Sequence, residues 1–392
     1  MTPKISHNNR FVSKRLAQVP VSGLHRFFGI AAAMPDVVSL GVGEPDFATP
    51  APIARAGFDA VYEKPIGYTA NSGLLELRLK LAAHLEKLYS VSYNPANEIL
   101  ITVGVSEALV CIFTAICDSG DEIIVPQPCF VAYTPEIIFA GGTPVIAACR
   151  AANNFEITAA EIEPHITPRT KAIFIGFPNN PTGAVLSREN AVKIHALAEK
   201  HNLLVISDEI YDRLVYGVEH VCFSALPNAR ERTVLLGGFS KDYAMTGWRV
   251  GYICARPDLL EAFSRVHQYA VMSAPTISQF VALAALEIGE EFVLQMHAEY
   301  DRRRKLVLSA LETIGLPCVE PRGAFYAFPS VAETGLTSDE FAERLLMEER
   351  VAVVPGTAFG AGGDGHIRIA YCKSAQEIEI AFERIAKFLR KL

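Results

Sequence analysis

No run of roughly 18 uninterrupted apolar residues, the length a bilayer span needs, occurs in this chain, although 50% of its 392 residues are hydrophobic. Positive charge is not in excess either: 36 Lys and Arg stand against 43 Asp and Glu, a formal net charge of -7. A surface built to neutralise nucleic-acid phosphates or an anionic membrane is therefore not expected. The one basic cluster, Arg302-Arg303-Arg304-Lys305, falls in a helical pattern and reads as a solvated helix face. The eight cysteines (Cys111, Cys117, Cys129, Cys149, Cys222, Cys254, Cys318 and Cys372) include no C-x-x-C pair and no Cys/His grouping at metal spacing. Reduced thiols acting as small core hydrophobes are expected, and no metal. Residues 1–15 are polar and lack the apolar stretch of a secretory leader, so a cytoplasmic location is expected. Low-complexity tracts, fixed-period repeats and the phosphate-binding pattern G-x-x-x-x-G-K-[ST] are also missing. The glycine-rich stretch Ala358-Phe359-Gly360-Ala361-Gly362-Gly363 opens no convincing helix, which argues against a dinucleotide site there.

What is present is alternation. Short apolar runs at 99–102, 122–125, 144–146, 172–175, 203–207, 234–236 and 250–254 alternate with helical patterns that include 106–117, 188–200 and 257–267. That order predicts an α/β fold with a mostly parallel sheet flanked by helices. The ends of the chain read differently. Residues before about 49 form a polar arm, a helical piece and a Gly/Pro turn. A long helical stretch follows residue 279 through 313, then strand patterns at 323–328, 351–354 and 365–370 and helices at 338–349 and 375–389. Two domains are expected: a large one over 50–285, and a smaller α+β one from 1–49 and 286–392, carrying an N-terminal arm.

Five segments carry chemistry. Lys241 directly follows an apolar run, in the turn Gly238-Phe239-Ser240-Lys241, with Arg249 eight residues on. Burial and a neighbouring cation lower an amine's pKa and make it a nucleophile toward an aldehyde, and an arginine clamps phosphate. Lysine plus phosphate clamp reads as a Schiff-base site for pyridoxal phosphate. The turn Gly104-Val105-Ser106 between a strand and a helix, with Ser106 as its N-cap, could hold that phosphate or be an ordinary capped turn. Asn180-Pro181-Thr182-Gly183 could aim an amide at the ring's O3′ or be a plain loop. Asp208, at the end of an apolar run and three residues before Tyr211, could keep a pyridine nitrogen protonated or serve a helix N-terminus. Glu209 reads as the macrodipole acid of that pair. Arg368, amid apolar neighbours in Gly365-His366-Ile367-Arg368-Ile369-Ala370, needs a partner: a substrate carboxylate or an internal salt bridge.

Together with Ser39-Leu40-Gly41-Val42-Gly43-Glu44-Pro45-Asp46-Phe47 and Gly67-Tyr68-Thr69, these motifs resemble the class I/II pyridoxal-phosphate-dependent aminotransferases of fold type I, the aspartate-aminotransferase-like family. The resemblance runs from about residue 38 to 388. It implies a pyridoxal 5′-phosphate enzyme that moves the amino group of an L-amino acid to a 2-oxo acid by ping-pong chemistry. Lys241 would be the Schiff-base lysine and proton shuttle, Asp208 the partner of the ring nitrogen, and Tyr211 and Asn180 the neighbours of O3′. Val105, Ser106, Ser240 and Arg249 would hold the phosphate, and Phe130 would stack on the ring. Arg368, Gly43, Asn180 and Phe130 would bind substrate. Tyr68 would reach the phosphate of a neighbouring subunit, which implies a homodimer with shared sites. Two departures matter: Phe130 stands where relatives often have Trp or Tyr, and no lysine occupies the Gly104-Val105-Ser106 turn, so strict aspartate specificity is not expected. A carbon–sulfur lyase or decarboxylase on the same scaffold is the alternative. A DNA-binding regulator would need an N-terminal extension for which the residues before 38 leave no room.

Overall fold

Seven short apolar runs pair into one sheet; six are buried on both faces, as strands covered by helices on either side must be, while the edge strand at 143–148 is partly exposed. A computed structural model of the chain describes residues 11–19, 34–64 and 66–392. Part of the polar arm expected at the N-terminus, and of the helical piece after it, lies outside these residues. Its described portion holds one 3₁₀ turn, Leu16–Gln18. The strands are β1 (Val38–Ser39), β2 (Ile99–Thr102), β3 (Glu122–Gln127), β4 (Thr143–Ala148), β5 (Thr170–Gly176), β6 (Leu204–Asp208), β7 (Thr233–Gly238), β8 (Gly251–Cys254), β9 (Tyr326–Ala327), β10 (Val351–Ala352), β11 (Val354–Pro355) and β12 (Ile367–Ala370). The helices are α1 (Ala51–Glu63), α2 (Leu75–Tyr89), α3 (Gly104–Ile116), α4 (Tyr133–Phe139), α5 (Ala159–Ile162), α6 (Arg188–Lys200), α7 (Pro257–Ala270), α8 (Thr276–Ile288), α9 (Glu290–Ile314), α10 (Ser338–Glu349) and α11 (Ala375–Leu389). None of them is long and apolar enough to cross a membrane.

The main sheet runs β2-β8-β7-β6-β5-β3-β4 and is parallel except for β8, which is antiparallel to both neighbours. Reversing one strand has a purpose. The carboxyl ends of β2, β3, β5, β6 and β7 gather at one edge, where open α/β sheets bind ligands. The antiparallel β8 brings its amino end to that same edge, with Gly251 opposite both Thr102 and Gly238. Away from this sheet, β11-β12-β9 form a small antiparallel sheet, and β1 pairs in parallel with β10. Around them packs a separate apolar cluster that includes Leu40, Tyr300, Phe325, Phe341, Tyr371 and Phe388.

Several expectations need correction. The long helical stretch from 279 is two helices meeting at Gly289, where a Cβ would lie 2.4 Å from the Ala285 carbonyl oxygen. The strand pattern at 351–354 splits into β10 and β11, which join different sheets. Ser106 is not an N-cap: α3 begins at Gly104, so the serine lies within its first turn. The basic cluster is only in part a solvated face: Arg302 and Lys305 are exposed, but Arg303 and Arg304 are buried in ion pairs with Asp46 and Glu299 and with Asp301 and Glu320. All eight cysteines are free thiols, buried apart from a half-buried Cys318.

The start of α3 lies so close to β8 that a Cβ on Gly251 would sit 2.7 Å from the Gly104 carbonyl carbon and 2.8 Å from the Val105 nitrogen. Backbone cannot rotate aside as a side chain can. Gly251→Ala should therefore cost about 1–3 kcal/mol in a urea titration. Gly247→Ala, where a Cβ would meet nothing within 4 Å, should stay within about 0.5 kcal/mol of the parent.

Candidate active site

Every site residue expected from the sequence except Tyr68 lines one cavity of about 360 Å³ at that sheet edge. Most arrive at or just beyond the end of a strand. β2 delivers Val105 and Ser106, β3 delivers Phe130, β5 Asn180, β6 Asp208 and Tyr211, and β7 Ser240 and Lys241, while Arg249 precedes the reversed β8. Gly43 and Arg368 come from the other body of structure, on the segment after β1 and on β12.

The cavity floor is polar and oriented. Gly104 has φ +70°, open to glycine, and the Arg249 guanidinium presses against it, where a Cβ would stand 2.7 Å from an Nη atom. Arg249 itself is left-handed at φ 56° and donates to the Thr246 carbonyl at 3.0 Å. Early α3 N–H groups lack helical partners, and with Arg249 and Ser240 they form a cradle for an anion such as phosphate. Across the cavity, Asp208 is buried and has no cation partner among the described residues. Its Oδ2 accepts the Tyr133 hydroxyl at 2.8 Å and its Oδ1 the Ile210 N–H at 3.2 Å. Burial pushes this carboxyl up to about 6, with the two donors pulling the other way. Glu209 has another role than the one expected: no helix starts there. It is buried against His220 Nε2 at 2.6 Å, the Ser207 hydroxyl at 2.8 Å and the Phe223 N–H at 2.9 Å.

Two cations face the same space. Lys241 Nζ donates to the Gly43 carbonyl at 3.0 Å, lies near the rings of Tyr211 and Phe325, and has no ion pair among the described residues. Burial lowers its pKa to about 8, with Cys372 and Glu44 opposing and Arg368 and Arg249 assisting. Arg368, 3% exposed, donates to Asn180 Oδ1 at 2.8 Å and to the Gly41 carbonyl at 2.5 Å, over the rings of Tyr326 and Phe359. Its buried Nε has no partner among the described residues. The internal salt bridge weighed as its alternative is absent among the described residues. A carboxylate entering from the cavity would find a guanidinium whose charge no protein carboxylate has taken.

The sequence reading missed several lining residues. Tyr133, which donates to Asp208, follows Phe130 by three residues at the start of α4, and this spacing was the available signal. Tyr326 shares a 2.9 Å hydrogen bond with the Tyr211 hydroxyl, and its own hydroxyl would be 2.1 Å from a Cβ on Gly43, so only glycine fits there. Val42, Leu109 and Ile210 add apolar wall, and Glu44 accepts from Thr246 beside them. Tyr68 is 85% exposed and stands outside the cavity, next to Ile66 and Gly67.

Residues 35–385 match the family described as aminotransferase class I and II. The chain is 45% identical over 381 residues to a putative aminotransferase, YugH, of Bacillus subtilis, covering 97% of this chain and 99% of that one. It is 42% identical over 383 residues to an aspartate aminotransferase of Pyrococcus abyssi, covering 97% and 98%. Among solved structures, an aromatic aminotransferase from Pyrococcus horikoshii superposes with a TM-score of 0.89 at 40% identity, covering 94% of this chain and 99% of that one.

The unpaired Asp208 carboxylate sets a measurable penalty. Its folded-state pKa lies above the ordinary carboxylate value, so the apoprotein loses stability as pH rises from near 4 through about 6. Asp208→Asn should stabilise the apoprotein by on the order of 2 kcal/mol at pH 7.5, a gain that shrinks toward pH 4. The same substitution should weaken pyridoxal phosphate binding. Thermal melts of both proteins across that range, with and without cofactor, check both halves.

Proposed function

The chain belongs to the class I and II aminotransferases, and we propose that it takes the amino group from apolar or aromatic L-amino acids and passes it to a 2-oxo acid such as 2-oxoglutarate. It is a pyridoxal-phosphate-dependent aminotransferase of fold type I. The lyase and decarboxylase alternatives are not favoured by these relatives.

One observation carries the residue assignment: three cations, Lys241, Arg249 and Arg368, and two carboxylates, Asp208 and Glu44, line a common cavity with no ion pair among the described residues. Unpaired buried charge is costly and is kept where a ligand completes it. The cofactor would fit this distribution: Arg249, Ser240 and early α3 would hold its phosphate, Asp208 would face its ring nitrogen, and Lys241 would meet its aldehyde. Bound there, it supplies an electron sink for the bond broken at the substrate's Cα. Asp208 keeps the ring nitrogen protonated, and Tyr133 orients Asp208. Tyr211 and Asn180 donate toward O3′, and Phe130 gives the ring an apolar face. Arg368 takes the substrate's α-carboxylate, exchanging the Gly41 carbonyl for a charged partner. Lys241, neutral in an appreciable fraction near pH 7–8, moves the proton to and from Cα.

The side-chain preference follows from which charges remain. Arg249 and Arg368 are committed to phosphate and α-carboxylate. The wall also carries apolar Val42, Leu109, Phe130 and Ile210 and the rings of Tyr133 and Tyr326, with Thr246 and the Glu44 carboxylate beside them. Among the described residues of one chain, a distal carboxylate would meet no cation beyond those already assigned and one like charge, Glu44, whereas an apolar side chain buries surface worth about 25 cal/mol per Å². A homodimer in the cytoplasm completes the reading. Exposed Ile66, Tyr68 and Met272 form an apolar edge suited to a second copy, whose cavity Tyr68 would reach. Sedimentation at the monomer mass would remove that part.

The deciding experiment follows the absorbance of the holoenzyme with single amino acids and no oxo acid. Leucine, phenylalanine or tyrosine should convert the cofactor to its amino form with kcat/KM at least about tenfold above aspartate. Faster conversion by aspartate would overturn the substrate class, and no conversion by any amino acid would overturn the assigned site. Arg368→Gln should lower kcat/KM for every donor by roughly 10²–10³, since all share the α-carboxylate.

A further inference from the structure

Behind the cradle, on the side of α3 away from the cavity, lies a buried cluster that the reaction does not touch. Glu107, in the first turn of α3, accepts the Cys111 thiol at 2.8 Å and His267 Nδ1 at 2.9 Å on one carboxylate oxygen, and the Val103 N–H at 2.9 Å on the other. Cys111 and His267 are fully buried, and the Glu107 side chain is 10% exposed. His267 comes from α7, which packs on α3. These three residues are of metal-ligand type, but their spacing is that of hydrogen bonds. A tetrahedral zinc with ordinary bond lengths would hold oxygen and sulfur roughly 3.5 Å apart.

A carboxylate here faces a conflict. A helix N-terminus that must hold a phosphate should not spend its dipole on an internal anion a few residues away. The cluster resolves this. None of its members lines the cavity, and each oxygen of Glu107 is turned to a donor on the far side. Burial would push this carboxyl up, yet the donors from His267, Cys111 and Val103 hold it below the ordinary carboxylate range. The Val103 bond fixes the residue just before the helix, while the Thr102 hydroxyl holds the Gly104 carbonyl at 3.0 Å. Pinned on both sides, the N–H groups of Gly104, Val105 and Ser106 are left for a ligand.

We propose that Glu107, braced by His267 and Cys111, is a positioning residue for the cofactor's phosphate, setting the aim of the α3 N-terminus without touching the cofactor. This rests on the reading that the Gly104-Val105-Ser106 turn holds that phosphate.

The test measures the Kd of pyridoxal phosphate for apoenzyme, the ³¹P shift of the bound phosphate, and the apoenzyme's Tm. Glu107→Ala should raise Kd about tenfold and move the ³¹P resonance, the scale expected when a helix-terminal bond is lost. Glu107→Gln, which retains an acceptor for Val103, should stay within about threefold of the parent. A fall in Tm with Kd and ³¹P shift unchanged would make Glu107 a structural cap only and overturn the proposal. Should Glu107→Ala fail to fold, His267→Gln decides. It leaves the Val103 bond in place, and a displaced ³¹P resonance with Kd raised about threefold supports the proposal, while parental values overturn it. Arg249→Gln is the control for the underlying reading. If it too leaves Kd unchanged, the phosphate is held elsewhere, and the proposal falls with that reading rather than by itself.

Discussion

A lysine and an arginine, held in one cavity by backbone carbonyls instead of carboxylates, set the terms for the rest of this molecule. Gly43 and Gly41 supply those carbonyls, and a carbonyl dipole only partly offsets what a buried cation loses on leaving water. Such charges persist when the surrounding structure is rigid enough to hold them and a ligand gains from finding them unneutralised. The fold supplies that rigidity from two directions. The main sheet fixes Lys241 at the end of a fully buried strand, and the small sheet fixes Arg368 in the middle of another. The free energy withheld from the apoprotein is then available for binding.

The segment after β1 is anchored by Arg303, one of the arginines expected in solvent. Arg303 holds Asp46 at 2.8 and 2.9 Å and lies over the rings of Phe47 and Tyr300. On either side of Asp46, Glu44 accepts from Thr246, and Thr49 donates to the Ala244 carbonyl and accepts from the Trp248 indole. The Gly41–Gly43 carbonyls are thus carried between Leu40, bonded to Ala352 and Ala370, and a stretch tied both to α9 and to the loop that bears Lys241. On the proposed assignment, the bonds they make to the two cations lie where substrate atoms would compete. Displacing them need not unfold the segment, because its anchors are elsewhere.

Most of the cavity could be read from the sequence, and the physical reason is local. An apolar run ending in a polar group marks a strand end, and strand ends in an open α/β sheet converge. Asp208, Lys241, Asn180 and the Gly104 turn each announce themselves within about ten residues. What stayed hidden depends on partners distant in the chain. Arg368 meets Asn180 across 188 residues, and Arg303 meets Asp46 across 257. A run of four basic residues looks solvated throughout until the acids that bury Arg303 and Arg304 are known. Glu209 was misread for the same reason, since a carboxylate after a strand looks like a helix-start acid until His220 closes on it. Tyr133 and Tyr326 were ordinary aromatics by pattern, and only the fold turns their hydroxyls toward Asp208 and Tyr211.

The reversed strand β8 shows how topology and chemistry constrain each other. A parallel β8 would send its amino end, and Arg249 with it, to the opposite edge of the sheet from Lys241. Antiparallel pairing puts Gly251 level with Gly238 and Thr102, so Arg249 emerges beside both the lysine turn and the start of α3. Packing this close demands glycine at 104 and 251, where any Cβ would strike guanidinium or backbone. The left-handed backbone of Arg249, costly for a residue with a Cβ, is part of the same requirement, since it turns the chain sharply enough to re-enter the sheet. Strain there, glycine at the contacts and one strand against the grain all serve a single geometric end. They bring a cation and a set of unpaired N–H groups to the same point, a short distance from an amine whose proton is loosely held.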